Sequence, residues 1–154
     1  MVVEKRKVEG YKELLVWQKG IQLAKEIYRI TQSFPNQEKF GLVSQMRRAA
    51  VSIPSNIAEG QARHTTKEFV QFVSHAEGSV AEMDTQVILA LELGYCSEER
   101  AAVASGLLSD LRKMLNALRR TLVGESKIAG ALARHLSLVT PTRTREVSYG
   151  NSTR

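Results

Sequence analysis

Two pairs of cationic residues repeat at a seven-residue step within one short stretch: Arg112 with Arg119, and Lys113 with Arg120. Arg47 and Arg48 form a separate adjacent pair, and Arg63 follows three residues after Gly60. Such groups can meet phosphate oxygens, arginine in a bidentate way, and each contact releases counterions from a nucleic acid. These residue types serve equally as solvated surface or as partners of carboxylates on a neighbouring helix. Spacing alone leaves both uses open. No aromatic residue interleaves the 112–120 stripe, so stacking against single-stranded bases has no support there.

Other chemistry finds little footing. A di-iron site in a helical bundle needs Glu-x-x-His pairs. The three histidines, His64, His75 and His135, are preceded at that spacing by Gln61, Phe72 and Leu132. There is no phosphate-binding G-x-x-x-x-G-K-[ST], no G-x-G-x-x-G and no G-x-S-x-G elbow. Cys96, the one cysteine, follows Gly94-Tyr95 and reads as a packed small residue; an intrachain disulfide is impossible. Glu77, Glu82 and Asp84 lie among polar positions and read as a solvated face. Glu59 is placed to pair with an arginine of a neighbouring helix or to cap its own, but no second positioned group accompanies it as acid–base catalysis requires. The expectation is a protein that is not an enzyme and holds no metal or cofactor.

The elements that must position these residues are helices. Leu14, Trp17, Ile21, Ala24 and Tyr28 step by 3, 4, 3 and 4, with Leu23 and Ile27 widening the stripe, and Pro35 ends the segment. Val43, Met46, Ala50, Ile53 and Ile57 repeat the step, with Gly60 as the expected stop. Thr65 and Glu68 have the spacing of a capping box, and Phe69, Phe72, Ala76, Val80, Met83, Val87 and Leu91 carry the third helix to Gly94. Ala104, Leu107, Leu111, Met114, Leu118 and Leu122, with Leu108 and Leu115 beside them, carry a fourth to Gly124. No alternating pattern competes. The predicted fold is all-α, an up-down-up-down antiparallel four-helix bundle.

The second helix pattern runs through Pro54, which removes a donor and crowds the carbonyl of Ala50. The seam keeps its phase on both sides, which predicts a kinked but continuous helix. Ser52 and Ser55 can satisfy freed backbone groups. Two purposes stay open: curving the helix around the core, or shaping a site or subunit surface with the small residues nearby. On the same wheel Arg47 lies about a quarter-turn from the seam and Arg48 nearly opposite it. Arg48 is therefore expected exposed, and Arg47 near a helix or subunit boundary, paired with Glu59 or Glu82.

"LLVWQKGIQLAKEIYRITQSFP", "GLVSQMRRAAVSIPSNIAEGQAR", "KEFVQFVSHAEGSVAEMDTQ" and "LALELGY" together resemble the four-helix-bundle family named for proteins encoded in intervening sequences of large-subunit ribosomal RNA genes. The likeness spans about residues 11–122. Its most specific part is "RRAAVSIPSNIAEG", in which Pro54, Asn56, Glu59 and Gly60 match the family's motif. That family is similar in turn to the accessory variability protein of diversity-generating retroelements, a basic homopentamer. The resemblance implies a bundle that self-associates, most simply as a pentamer, contacts RNA or DNA, has a reverse transcriptase as a further candidate partner, and carries no catalysis.

Composition is compatible with this. The chain has 154 residues and a formal net charge of +6, which favours polyanionic partners. Residues 1–123 hold 17 Lys/Arg against 14 Asp/Glu, and residues 124–154 hold five against two. The expected organisation is an N-terminal segment 1–12, the bundle 13–124, and a basic tail 125–154. The tail is expected to be helical around Ile128, Leu132, His135 and Leu136, then flexible from Thr140 through Arg143, Arg145 and Arg154. The longest uncharged run, Ala49 to Ala58, is far shorter than the roughly 20 residues of a membrane span. A lone cysteine and no apolar leader fit a cytoplasmic protein without membrane contact.

Overall fold

The structure, a computed structural model, describes residues 10–138, with side chains described as far as 134. A 3-10 turn, Tyr11–Glu13, precedes α1 (Leu15–Thr31); a second, Asn36–Glu38, precedes α2 (Leu42–Gln61). Then come α3 (Thr66–Glu92) and α4 (Glu98–Leu138). There is no strand among the described residues. Each helix packs on its chain neighbours and α4 closes on α1, so α2 stands diagonal to α4. This is the antiparallel four-helix bundle that the periodicity predicts. No helix among the described residues is long and apolar enough to cross a membrane.

The core is a column of aliphatic side chains. Leu23, Ile27 and Ile30 of α1 meet Met46, Ile53 and Ile57 of α2, Val73 and Met83 of α3, and Leu108, Leu111 and Leu115 of α4, all fully buried. The α2 seam lies where its spacing puts it. The α1 seam does not. Its buried row is Val16, Gly20, Leu23, Ile27 and Ile30, while Trp17 and Ile21 sit half-buried and Tyr28 is 43% exposed. At Gly20 the row meets α2, where a Cβ would lie 3.3 Å from the Pro54 ring.

Helix ends follow local chemistry. The Thr65 hydroxyl accepts from the Glu68 N–H at 3.2 Å and donates to Glu68 Oε2 at 2.6 Å, so the capping box forms. Gly94 ends α3 with φ 71°, and the Tyr95 N–H reaches back to the Ala90 carbonyl at 2.9 Å, a Schellman closure that needs the left-handed glycine. At the start of α2 the Leu42 N–H donates to Glu38 Oε2 at 3.0 Å, and the Tyr95 hydroxyl donates to the other oxygen of that carboxylate at 3.2 Å. One side chain thus caps α2 and ties it to the α3–α4 connection.

Two expected stops are not stops. Gly60 lies inside α2 and is buried. Gly124 lies inside α4, which continues to Leu138. A mid-helix glycine costs only about 1 kcal/mol relative to alanine, and the alanines and leucines that follow favour helix. Past the bundle, Ile128 and Leu132 are 71% and 58% exposed. Residues 1–9 and 139–154, with Arg143, Arg145 and Arg154 of the tail, lie outside the described residues.

Candidate nucleic-acid interface

α3 and α4 run antiparallel, and each carries charge at a seven-residue step. Arg112 Nη2 meets Asp84 Oδ2 at 3.1 Å; Arg119 Nη2 meets Glu77 Oε2 and, at 2.9 Å, the Ser74 hydroxyl. Asp84 and Glu77 are themselves seven apart, so the two heptads mate rung by rung. Glu77 and Asp84, two of the three carboxylates expected on a solvated face, are therefore half of an interhelical ladder, while Glu82 is exposed. Arg112 and Arg119 belong to that ladder rather than to an open basic stripe.

Lys113 and Arg120 differ. One residue further on, each is rotated by about 100° away from α3. Both are exposed and neither forms an ion pair among the described residues. With Asn116 they line a shallow depression of about 300 Å³. The fourth-helix stripe thus divides into a paired row and a free one.

On α2 the two arginines also part company. Arg48 is exposed. Arg47 is half-buried, its guanidinium 4.6 Å from the centre of the Tyr28 ring and its Nε donating to the Thr31 hydroxyl at 3.0 Å. Its partners on α1 are an aromatic face and a hydroxyl, neither Glu59 nor Glu82. Arg48 borders an open groove of about 990 Å³ whose wall includes Lys39, Phe40, Val51, Ser55 and Glu82. Phe40, 89% exposed, stands at its rim. Nothing in the apolar periodicity singles out Phe40; its position in a connection beside Gly41 was the available signal. Arg63 is exposed, with its guanidinium 4.7 Å from the Phe72 ring centre.

Three of the four motif residues, Pro54, Asn56 and Gly60, lie at helix contacts. The Pro54 ring is buried against α1: a Cβ on Gly20 would lie 3.3 Å from both its Cβ and its Cδ. Asn56 Nδ2 donates to the Ser52 carbonyl at 2.8 Å and to its hydroxyl at 3.0 Å. The Ser52 and Ser79 hydroxyls are 2.8 Å apart, and Ser79 donates to the His75 carbonyl at 3.1 Å. One proton order satisfies all of these: Asn56 to Ser52, Ser52 to Ser79, Ser79 to His75 across the α2–α3 seam. Gly60 leaves room for Phe69 and Phe72. Glu59 is exposed and forms no ion pair among the described residues, so neither role expected for it is seen.

The profile of the 23S rRNA-intervening sequence protein matches residues 12–117. The chain belongs to the 23S rRNA-intervening sequence protein family. The chain is also similar to a solved structure, a protein with unknown function from the S23 ribosomal protein family of Bacteroides thetaiotaomicron VPI-5482. The TM-score is 0.64 at 20% identity, covering 69% of this chain and 96% of that one, a likeness of fold. No curated protein matches the chain.

No group of three or more His, Cys, Asp or Glu able to hold a metal occurs among the described residues. Burial pushes the Cys96 thiol above its ordinary value, which makes it a poorer nucleophile. His75 is exposed, its ring edge-on to Phe72 at 5.8 Å.

Proposed function

We propose that this intervening-sequence protein is a non-enzymatic homo-oligomer that binds nucleic acid through phosphate contacts. The observation that carries the reading is the free row on α4: Lys113 and Arg120, exposed, flanking Asn116 and facing away from every carboxylate of α3. Arg48 and Arg63 add exposed cations elsewhere on the surface. Cations that do not stabilise the fold by pairing are those available to a polyanion, and a net charge of +6 draws one in. The test is a salt titration of binding to RNA and DNA. A log–log slope of about minus 1.8 or steeper, about 0.9 for each of two phosphate contacts, supports the reading; a clearly flatter slope, or no binding, rejects it.

Self-association draws on the groove that Arg48 borders. Phe40 and Val51, with Ser52 and Ser55, give the outer side of α2 an apolar and small-residue character that a lone bundle does not need. Light scattering should report a mass several times the 17.1 kDa of one chain, a pentamer being the simplest expectation from the family resemblance. The same exposed phenylalanine favours a second reading, an accessory scaffold that docks a protein such as a reverse transcriptase. That binding would depend on Phe40 and little on salt.

A further inference from the structure

The free row on α4 is longer than the bundle. Lys113, Arg120, Lys127 and Arg134 stand at a constant seven-residue step. All four are exposed and none forms an ion pair among the described residues. At 1.5 Å per residue the row is about 31 Å long, with a cation every 10.5 Å or so; each step rotates by only about 20°, so the row stays on one side of the helix. The positions four residues after the first three cations are the small Ala117, Gly124 and Ala131, and those three residues after them are Asn116, Val123 and Gly130. A Cβ on Gly130 would lie 3.7 Å from Arg134 Nη1, so this guanidinium lies back along a bare stretch of helix. Of the acids of α4, Asp110, three residues before Lys113, borders the row. Asp110 is held by Lys19 at 3.4 Å, and Glu125, two residues before Lys127, points about 160° away from it.

We infer that this row is a rail for the phosphate backbone of a double-stranded nucleic acid, with Lys127 and Arg134 as binding residues. The inference rests on the nucleic-acid reading above and adds the strandedness of the ligand and two of its contacts. A straight, evenly charged row 31 Å long matches a ligand that is itself stiff. Laid along a duplex it spans about nine steps of 3.4 Å and meets phosphates on both sides of a groove. A flexible single strand would be held by stacking, and α4 has no Phe, Tyr or Trp between 98 and 138. A protein ligand would need a buried apolar anchor, and Ile128 and Leu132 lie on another side of the helix. Arg120, Lys127 and Arg134 fall beyond residue 117, where the family match ends.

The full chain tests this by fluorescence anisotropy with RNA and DNA duplexes of roughly 20 base pairs, about twice the row's length, and with a single strand of the same charge, from about 50 to 200 mM salt. Lys127→Gln/Arg134→Gln should flatten the log–log salt slope by about 1.8, that is two contacts at about 0.9 each, with helicity by circular dichroism unchanged. Lys12→Gln/Lys25→Gln removes the same charge from the first 3-10 turn and α1 and should leave the slope as it was. A loss on either duplex supports the rail, and the duplex showing the larger loss is its natural ligand. Wild-type protein that binds with a normal slope while the Lys127/Arg134 variant matches it overturns the rail and leaves the broader reading standing. So does an equal loss in the control, or tighter binding of the single strand. Wild-type protein without salt-dependent binding overturns both.

Discussion

The buried ring of Pro54 in α2 lies against the bare backbone of Gly20 in α1, at the distance where a Cβ on that glycine would stand 3.3 Å from two ring carbons. The proline therefore does more than lose a hydrogen bond. Its ring fills the space left by a missing side chain, and the two residues fix where α1 crosses α2. Gly20→Val should destabilise the fold by about 2 kcal/mol in urea denaturation, within the range for overpacking. The same change in a Pro54→Ala background should cost less, with a coupling of at least about 0.5 kcal/mol in the double-mutant cycle. Strict additivity would mean the contact is incidental.

Glycines in these helices should separate by what surrounds them. A Cβ on Gly60 would come within 2.6 Å of the Phe69 ring and 2.8 Å of the Phe72 Cβ, whereas one on Gly106 meets nothing within 4 Å. Gly60→Ala should cost about 1–3 kcal/mol and Gly106→Ala should stabilise by up to about 1 kcal/mol. Equal thermal midpoints for the two variants would contradict the packing role given to the motif glycine.

Arg119 should behave as a structural residue. Its removal leaves Glu77, a half-buried carboxylate, without its ion-pair partner, while the Ser74 hydroxyl keeps its bond to the Val70 carbonyl at 3.1 Å. Arg119→Ala is expected to lower stability by about 1 kcal/mol, since the pair is partly solvated. Urea denaturation checks it; an unchanged midpoint would mean water replaces the guanidinium at no cost.

The Thr65 hydrogen bond holds the Glu68 carboxyl below its ordinary value of 4.5. A lowered folded value means that the charged form is favoured in the fold. The cap's contribution is therefore complete above about pH 4.5 and fades as pH falls through the lower folded value. The melting-temperature gap between wild type and Thr65→Ala should be larger at pH 7 than at about pH 3. A gap that is equal at both would remove the charge from the explanation.

How far the sequence reveals this depends on which partner each residue has. The α2 seam was legible because Val43, Met46, Ile53 and Ile57 are large, apolar and in phase. The α1 seam was misplaced by a fraction of a turn because Gly20, at its centre, carries no side chain to count, while the half-buried Trp17 and exposed Tyr28 count fully. The division of the basic stripe was invisible for another reason. Arg112 and Arg119 find acids 28 and 42 residues away, and no local pattern encodes that pairing. Lys127 and Arg134 were hidden by taking Gly124 as a stop. A glycine needs a positive φ to end a helix in that way, as Gly94 has and Gly124 has not.

The contrast between the two α4 rows gives the most direct measurement. Lys113→Gln/Arg120→Gln and Arg112→Gln/Arg119→Gln each remove two positive charges from the same turns of one helix. Binding to a structured RNA is followed across salt for both. The account predicts that the first variant loses about 1.8 from the salt slope while its stability holds, and that the second keeps its slope while its stability falls. Equal slopes for the two variants, or a loss confined to Arg112→Gln/Arg119→Gln, would contradict the assignment of the free row to nucleic-acid binding.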